Sequence, residues 1–432
     1  AQIVKLVEDA QSSKAPGQRL ADRAAQYLVI LAVGSGVVTF VVWYFLAGET
    51  ALLALTFAIS AVVIACPDAL GLATPTAVAV GTGLGARHNI LIKDAETLEA
   101  TSRVGAVVLD KTGTLTEGKP QLTRVVTTNG FEEQGLLRIA ASAERNSEHP
   151  LAQAIVEGAI ARGIDLPASA SFSSIAGKGL EAGVEGRTLL VGNRRLMEER
   201  GIALGDLVAQ AEDLAEDGNT PMYVAVDGQA AGIVAVADTI KPTAKAAVDL
   251  LREMEIEPVM MTGDNERTAN SVAAQLGITR VFADVLPADK ARYVEQLQDE
   301  GRFVAMVGDG VNDAPALARA NIGIAIGAGT DVAIETARVV LMKSDPLDVV
   351  RAIRLSEATV TKMKQNLFWA SIYNVLAIPI AAGALYPALG LELRPEWAAL
   401  LMSVSSIIVA TNAVLLKRAD RDLAAVGAAR SP

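Results

Sequence analysis

"VVLDKTGTLTEG", residues 107–118, places one aspartate, Asp110, between a run of β-branched apolar residues and a turn rich in Gly and Thr. Short apolar runs bounded by turn residues are typical of strands that lie in the middle of a parallel sheet. Such a strand holds its last side chain rigidly at the sheet edge, and Gly113 lets the backbone approach a ligand there. The stretch therefore predicts an α/β domain with a functional carboxylate at the carboxyl end of a buried strand.

Two more strand ends further along the chain carry polar side chains. "PVMMTGD" ends on Thr262, Gly263 and Asp264, and "FVAMVGDGVND" leads to Asp309 and Asp313. Between these runs lie polar helical stretches, and this alternation indicates an open parallel sheet with crossover helices. Because ligands collect at the carboxyl ends of the strands in such sheets, we expect the three clusters to face one point.

Carboxylates in this arrangement suit phosphoryl transfer. A carboxylate can attack a phosphoryl group to form an acyl phosphate when the negative charges are screened. Mg²⁺ provides that screening, and its predicted oxygen ligands are Asp110, Asp309 and the backbone carbonyl near Thr112. Lys290 in "LPADK" is the predicted second cation for the phosphate, and Thr262 is a predicted hydrogen-bond donor. Taken singly, a "TGD" is usually a turn and a lone lysine is usually a solvated charge.

The three motifs together carry a family resemblance. "DKTGTLT", "MTGD" and "VGDGVNDAPAL" resemble the phosphorylation-domain signatures of the P-type ATPases, within the haloacid dehalogenase superfamily. The resemblance implies that Asp110 is phosphorylated, that Asp309 binds Mg²⁺ and that Asp313 orders the site. In "DTIKP", Asp238 and Lys241 resemble the hinge motif of the same domain. The predicted catalytic residues are Asp110, Lys111, Thr112, Thr262, Gly263, Asp264, Lys290 and Asp313.

A second lobe is expected between residues 121 and 235, inserted into the sheet domain. "SEHPLAQAI" contains a His-Pro pair at a helix start, and "GKGL" and "VGNRRL" follow. A lone His-Pro is more often a cap, and a lone Gly-x-Gly is more often a turn. Their combination resembles the nucleotide-binding domain of the heavy-metal-transporting branch, which implies that this lobe binds ATP. The implied ATP-binding residues are Glu148, His149, Gly177, Gly179 and Asn193.

Long apolar stretches lie towards both ends of the chain. "YLVILAVGSGVVTFVVWYFL" has no charged residue and matches the roughly 20 residues that cross ~30 Å of hydrocarbon. Comparable stretches cover residues 51–86, 366–389 and 396–416, so we predict four membrane helices in two pairs. The alternative, buried helices of a large soluble protein, is disfavoured because four such stretches are hard to bury in one core.

Basic residues flank these stretches, and they predict an orientation. Because lysine and arginine concentrate in cytoplasmic loops, both termini and the catalytic domains are expected in the cytoplasm, at a bacterial plasma (inner) membrane. The flanking residues are Lys14, Arg19, Arg23, Arg87, Lys93, Arg354, Lys362, Lys364, Lys417, Arg418 and Arg421.

A cation site is predicted where Pro67 interrupts the second apolar stretch. Proline removes a backbone hydrogen bond, so Cys66, Asp68 and freed carbonyls become available at one depth. "ACPDALGLATPTA" resembles the Cys-Pro-Cys signature of the heavy-metal branch, with Asp68 where that branch usually has a second cysteine. Residues in "IYNVLAIP" and "MSVSS" resemble copper-type signatures of the last two helices. The predicted ligands of the transported ion are Cys66, Asp68, Tyr373, Asn374, Met402 and Ser405.

The ligand set leaves the identity of the ion open between two classes. One thiolate and one carboxylate suit a borderline divalent ion such as zinc, whereas the thioether of Met402 favours Cu(I). The alternative interpretation is that a proline kink packs a free cysteine, while the methionine and serines serve helix packing. Asp68 argues against that alternative, because a carboxylate within a membrane segment is a functional residue by default.

Composition excludes several other classes. The chain has 432 residues, 51% hydrophobic, with a mean hydropathy of +0.35, a net charge of -11 and a single cysteine. An acidic chain without clustered Lys and Arg is unsuited to a nucleic-acid partner. One cysteine cannot form an internal disulfide, so the fold does not depend on an oxidising compartment.

The expected organisation has six segments and lacks one domain of the family. No Thr-Gly-Glu tripeptide of an actuator domain and no Cys-x-x-Cys occur, so we expect either a piece of a longer pump, which is favoured, or a naturally short protein. Such a chain would accept phosphate on Asp110 and lack the glutamate that releases it. The expected segments are a lead-in at 1–24, a first membrane pair at 25–86, a phosphorylation domain at 87–120 and 236–350, a nucleotide-binding domain at 121–235, a second membrane pair at 351–418 and a tail at 419–432.

The sequence therefore predicts ATP-driven export of a transition metal through an aspartyl phosphate, with Cu(I) as the expected cargo. ATP, Mg²⁺, a lipid bilayer and a metallochaperone donor are the implied cofactors and partners. A zinc or other divalent-metal pump is the alternative within the class. A non-transporting, membrane-anchored phosphatase or metal-binding protein is the alternative from another class, and the nucleotide motifs speak against it.

Overall fold

The structure, a computed structural model, describes residues 16–147, 149–175, 177–264, 266–309, 311–327 and 331–426. These residues form a helical bundle, a mostly parallel sheet with helices and an antiparallel sheet with helices.

The helices are α1 (Pro16–Val41), α2 (Ala51–Ile64), α3 (Asp68–Arg87), α4 (Ala95–Thr101), α5 (Glu133–Glu144), α6 (Pro150–Ala161), α7 (Arg194–Glu199), α8 (Leu207–Glu216), α9 (Ala244–Glu253), α10 (Glu266–Leu276), α11 (Lys290–Asp299), α12 (Ala314–Arg319), α13 (Asp331–Thr336), α14 (Leu347–Ala381), α15 (Tyr386–Leu389), α16 (Pro395–Val414) and α17 (Ala419–Ala425). The strands are β1 (Ile90–Ile92), β2 (Ala106–Asp110), β3 (Thr116–Thr127), β4 (Ser169–Ile175), β5 (Gly179–Val184), β6 (Arg187–Gly192), β7 (Thr220–Val226), β8 (Gln229–Ile240), β9 (Glu257–Met261), β10 (Arg280–Phe282), β11 (Val304–Gly308), β12 (Ile322–Ile326) and β13 (Val339–Leu341).

The larger sheet has seven strands in the order β1-β13-β12-β11-β2-β9-β10. Every neighbouring pair is parallel except β1 and β13, which are antiparallel. All five residues of β2 and of β11 are buried, because helices cover both faces of the sheet. The predicted parallel sheet is therefore present, and the carboxyl end of β2 lies between those of β11 and β9.

The second sheet is antiparallel, with six strands in the order β3-β8-β7-β6-β5-β4. It follows β2 in the chain through the turn Lys111–Leu115, and it returns to the first sheet after β8. The base of the lobe is the pairing of β3 with β8, which begins at Thr116 and Ile240. Helices α5 and α6 pack on this sheet around a separate core. A lobe of mixed helix and strand is thus inserted between β2 and β9.

The helical bundle consists of α1, α2, α3, α14 and α16, which pack against one another. By length and composition, three described helical segments could cross a membrane: Ala25–Leu46, Ala51–Arg87 and Pro395–Ala425. The second of these contains α2 and α3, which are separated by a break at residues 65–67. Three of the four predicted membrane helices therefore meet this criterion.

The prediction of a fourth such helix, at residues 366–389, is not met. That stretch begins inside α14, a 35-residue helix that ends at Ala381. Asn366 and Asn374 interrupt its apolar part, and Lys364 lies just before it. The helix nevertheless lies within the bundle, because Ala370 packs with Ala69 and Ala73 of α3. It begins six residues after β13, so a single helix leads from the parallel sheet into the bundle.

Small residues allow α3 and α14 to approach closely. A Cβ added at Gly81 would lie 2.5 Å from Oγ1 and 2.7 Å from Cγ2 of Thr359, and one added at Gly85 would lie 3.0 Å from Cδ2 of Leu355. Close approach of helix backbones through Gly and Ala is the usual way in which membrane helices gain packing energy. Gly81 faces Thr359 and Gly85 faces Leu355, so residue numbers rise along α3 as they fall along α14. The two helices are therefore antiparallel.

We expect Gly81→Leu to weaken this contact. The added side chain overlaps the β-branched Thr359, which has little rotamer freedom in a helix, so overpacking should cost about 1–3 kcal/mol. Thermal unfolding of the detergent-solubilised chain should occur at a lower temperature than for the unsubstituted chain. Gly83→Leu is the matched control, because a Cβ at Gly83 meets nothing within 4 Å. Equal melting temperatures for the two variants would contradict the close contact.

Candidate functional site

A buried lysine joins two carboxylates at the carboxyl end of β2. Asp110 is the last residue of β2 and is 6% exposed. Nζ of Lys290, the first residue of α11, donates to Oδ1 of Asp110 and to Oδ1 of Asp313, both at 2.6 Å. Charge-assisted hydrogen bonds of this length are the strong ones, so one ammonium holds both carboxylates in place.

The electrostatics of this cluster are dominated by burial. Burial and, after it, the negative charge of Asp313 raise the pKa of Asp110 to about 7, against the opposing effect of Lys290. The pKa of Asp309 is also raised, first by burial and then by Asp313. For Lys290, burial alone would lower the pKa, but the two carboxylates outweigh it and the pKa is raised. The site therefore holds more negative charge than a single lysine neutralises.

This excess of carboxylate oxygen fits a divalent cation. One oxygen atom each from Asp110, Asp309 and Asp313 lies within 4.8 Å of the others. Hard oxygen ligands at this spacing suit Mg²⁺, which binds through one or two carboxylates together with phosphate oxygens and water. The structure thus brings together the predicted ligands Asp110 and Asp309, with Thr112 in the lining of the same cavity. Asp313, which we expected only to order the site, is a third candidate ligand.

The cavity in front of Asp110 has a volume of about 290 Å³. Oγ1 of Thr262 accepts a hydrogen bond from the backbone N–H of Asp264 at 3.1 Å, so the hydroxyl proton remains available to a ligand. Nζ of Lys111 lies 2.5 Å from Oδ2 of Asp264, which joins the turn after β2 to the loop after β9. The cavity is lined by Asp110, Thr112, Thr262, Gly263, Asp264, Val285, Pro287, Lys290, Asp309, Asn312 and Asp313.

The turn after Asp110 is fixed by glycine geometry and by a second lysine. Gly113 has φ +74°, and a Cβ at this position would overlap the carboxylate of Asp309. Nζ of Lys241 donates to the carbonyl oxygen of Gly113, and to Oγ of Ser344 at 2.7 Å. Burial lowers the pKa of Lys241, and surrounding acidic residues oppose that effect. The carbonyl, the ammonium and the serine together anchor the turn beside Asp110.

Asp238 fixes the start of the inserted lobe. Its Oδ2 accepts from Oγ1 of Thr116 at 2.5 Å, and its Oδ1 accepts from the backbone N–H of Gly118 at 2.8 Å. Both strands at the base of the lobe are therefore tied together at the end nearest to Asp110. Asp238 and Lys241, the two hinge-motif residues of "DTIKP", contact the turn and the strand that join the sheets.

A second cavity, of about 310 Å³, lies in the inserted lobe. His149, Gly177, Gly179 and Asn193 all line it, whereas Glu148 lies outside the described residues. His149 caps α6, where its Nδ1 accepts from a backbone N–H at 3.3 Å. Nδ2 of Asn193 donates to the carbonyl oxygen of Gly177 at 3.0 Å. The residues predicted to bind nucleotide, where the structure describes them, thus share one cavity.

Sequence reasoning missed Glu144, which also lines this cavity. Its side chain is 3% exposed, has no ion-pair partner among the described residues, and has its pKa raised to about 7 by burial. A signal was present, because Glu144 continues the helical spacing of Leu137, Ala140 and Ala141 on the buried face of α5. An acidic residue on an otherwise apolar helix face is costly without a partner or a ligand.

The residues predicted to bind the transported ion lie on α14 and α16 and at the break between α2 and α3. Cys66 is partly buried at this break, and Asp68, the first residue of α3, is exposed. Asn374 and Ser405 are buried within the bundle, and the buried hydroxyl of Tyr373 has no hydrogen-bond partner among the described residues. Met402 is partly buried on α16. The helices pack together, but the described residues do not form a hydrogen-bonded cluster of these six side chains.

Comparisons with known proteins agree with the motifs. A family model described as haloacid dehalogenase-like hydrolase matches residues 104–321, about half of the chain. The chain is 50% identical over 418 residues to a probable copper-exporting P-type ATPase of Archaeoglobus fulgidus, a match that covers 96% of this chain and 51% of the relative. It is 49% identical over 419 residues to a copper-exporting P-type ATPase of Legionella pneumophila, covering 97% of this chain and 57% of the relative.

A solved structure has the same fold over nearly the whole chain. A zinc-transporting PIB-type ATPase in the E2.Pi state superposes with a TM-score of 0.81 at 33% identity, over 96% of this chain and 66% of that one. The chain spans about half the length of the curated relatives that it matches. These matches confirm the predicted fold class and the predicted resemblance. The chain therefore belongs to the haloacid dehalogenase-like hydrolase family and is a homologue of the heavy-metal-transporting P-type ATPases.

Proposed function

We propose that the chain carries the catalytic and ion-binding parts of an ATP-driven exporter of a transition metal, with Cu(I) as its cargo. The observation that carries the proposal is the buried Asp110 at a strand end, held by Lys290 at 2.6 Å within a cluster of three carboxylates. The relatives named as copper exporters support the cargo. On this proposal the protein is integral to a bacterial plasma membrane, with both termini and the two sheets in the cytoplasm.

The proposed reaction begins with Asp110. Its carboxylate oxygen attacks the γ-phosphorus of ATP, a new phosphorus–oxygen bond forms, the bond to the β,γ-bridging oxygen breaks, and ADP leaves. Lys290 neutralises charge beside the transferred group, and the hydroxyl of Thr262 donates to one of its oxygens. Mg²⁺ held by Asp110, Asp309 and Asp313, with the carbonyl of Thr112, would neutralise phosphate charge in this site.

The inserted lobe is proposed to bring ATP to Asp110. The cavity lined by His149, Gly177, Gly179 and Asn193 takes the adenosine part of the nucleotide. The family resemblance adds Glu148 to these ATP-binding residues. Glu144 faces the same cavity and is neutral below pH 7, so it can both donate to and accept from the edge of a purine base. A neutral acid also avoids repulsion of the nucleotide phosphates.

The transported ion is proposed to bind at the break between α2 and α3. Cys66 and Asp68 supply a thiolate and a carboxylate, and Tyr373, Asn374, Met402 and Ser405 line the path on α14 and α16. A metallochaperone is the proposed donor of the ion. Zinc is the second candidate, because Asp68 replaces a soft sulfur ligand with a hard oxygen ligand.

The first test is labelling with γ-³²P-ATP in the presence of Mg²⁺ and either Cu(I), Zn²⁺ or no transition metal. We expect acid-stable, hydroxylamine-sensitive label that increases with Cu(I) and falls by about a hundredfold or more in Asp110→Asn, because the nucleophile is lost. Asp284→Asn is the matched control, since this exposed aspartate lies on the loop before α11 and has φ +51°, which asparagine tolerates. Label that survives in Asp110→Asn would contradict the proposed nucleophile.

A second test concerns the protonation of Glu144. Its pKa of about 7 lies above the usual value of about 4.3, so the neutral form prevails as the pH falls below 7 and the charged form prevails above it. We expect ADP affinity, measured by calorimetry, to fall by about tenfold between pH 6 and pH 8, relative to Glu144→Gln at the same pH. An amide keeps one donor and one acceptor without titrating, which makes Glu144→Gln the reference. Parallel pH profiles in the two proteins would show that Glu144 does not contact the base.

A third test addresses the choice of ion. Asp68→Cys restores two thiolates on either side of Pro67, so we expect Cu(I) affinity to rise by about tenfold or more while Zn²⁺ stimulation of labelling falls. The measurement is competition for Cu(I) with a chromophoric chelator in detergent. Glu49→Cys, in the loop between α1 and α2, is the control for adding a thiol elsewhere. Unchanged Cu(I) affinity in Asp68→Cys would place the soft ligands elsewhere.

A further inference from the structure

Helix α3 contains a proline of its own, Pro75, and polar side chains contact the backbone near it. Pro75 has no N–H, so the carbonyl four residues earlier loses its helical donor and the helix is weakened there. Oγ1 of Thr76 donates to the carbonyl oxygen of Leu72 at 2.7 Å, and Nδ2 of Asn366 on α14 donates to that of Ala73 at 3.0 Å. Neither bond reaches the carbonyl of Gly71 that loses its donor, but both add donors to the two carbonyls that follow it and so reinforce the weakened segment.

The amide of Asn366 belongs to a hydrogen-bonded chain that joins three helices. Nδ2 of Asn412 on α16 donates to Oδ1 of Asn366 at 2.7 Å, and Nζ of Lys362 on α14 donates to Oδ1 of Asn412 at 3.0 Å. Lys362 also donates to Oε1 of Gln365 at 3.0 Å. Asn366 itself is fully buried, at 0% exposed. A buried amide is stable only when its donor and acceptor are both used, as they are here.

The same amide lies within helix α14, which begins close to the turn after Asp110. Oγ of Ser344, three residues before α14, donates at 3.2 Å to the carbonyl oxygen of Gly113, three residues after Asp110. From Leu347 the helix runs without interruption past Asn366 to Ala381. A displacement of the turn after Asp110 therefore has a contiguous path to the backbone of α3.

We propose that Asn366 is a positioning residue for the ion site, which fixes the segment of α3 between Pro67 and Pro75 through its bond to the carbonyl of Ala73. Asn412 and Lys362 hold the amide in the orientation that donates to α3. This inference rests on the proposed function, because it assigns to Asn366 control of the Cys66 and Asp68 site rather than contact with the ion.

The geometry argues against Asn366 as an ion ligand. Its Oδ1, the atom that would bind a metal, already accepts from Asn412, and the network ends in the ammonium of Lys362. A metal cation close to the ammonium of Lys362 is electrostatically unfavourable, because like charges repel and a partly buried site screens them less than bulk water does.

The test is direct Cu(I) binding to the full chain in detergent, by chelator competition, together with X-ray absorption of the bound ion. In Asn366→Ala we expect Cu(I) affinity to fall by about tenfold, while the number of sulfur ligands stays as in the unsubstituted chain. Ser403→Ala is the matched control, because this hydroxyl bonds only within α16, to the carbonyl of Ala399 at 3.1 Å.

Asn412→Ala is the second variant, and it keeps the proposal testable if Asn366→Ala does not fold. It leaves the bond from Asn366 to α3 in place and removes the donor that orients Asn366, together with the acceptor of Lys362, so we expect a smaller loss of affinity in the same direction. Unchanged affinity in a folded Asn366→Ala, or a loss of one light-atom ligand from the absorption spectrum, would overturn the positioning role. This binding assay needs no ATP, so it is independent of the phosphorylation of Asp110. A chain that binds Cu(I) but is not labelled on Asp110 would contradict the proposed pump cycle, and the role of Asn366 could still be measured.

Discussion

The ammonium of Lys290 between Asp110 and Asp313 is the interaction on which the arrangement of the site depends. Three carboxylates within 4.8 Å of one another, largely shielded from water, would repel each other strongly without a cation. A single lysine at 2.6 Å from two of them offsets part of that repulsion, and its helix, α11, is thereby tied to the ends of β2 and β11. Removing one partner of such a group leaves a buried charge without compensation, which is strongly destabilising.

The two lysines at the sheet edge act on different parts of the site. Lys290 contacts two carboxylates and so offsets part of the negative charge of the site. Lys241 contacts the carbonyl of Gly113 and so stabilises the shape of the turn after Asp110. That turn joins the parallel sheet to the inserted lobe, and Asp238 holds the first residues of the lobe in register. The base of the lobe is therefore held beside Asp110 by one carboxylate and one ammonium.

Helix α14 connects the parallel sheet with the helical bundle. It packs against α3 through Gly81 and Gly85, and it reaches α3 again through the amide of Asn366. Glycine contacts allow helices to slide by small amounts, whereas a hydrogen bond to a backbone carbonyl has a defined length and direction. The amide of Asn366 thus adds a directional constraint to the register that the glycine contacts set.

The sequence by itself determined the parallel sheet, the inserted lobe and the grouping of Asp110, Thr262, Asp264, Asp309 and Asp313. These follow from local patterns, because strand ends of a parallel sheet meet at one edge whatever the rest of the chain does. The tertiary structure alone decided the partners of Lys290, the path of α14 from the parallel sheet into the bundle and the burial of Glu144 in the cavity of the inserted lobe. It also decided that Asn366 bonds to a carbonyl 293 residues away in the chain. Every residue has a backbone carbonyl, so no sequence pattern marks the carbonyl to which a distant side-chain amide donates. Only the packing of the helices determines that partner.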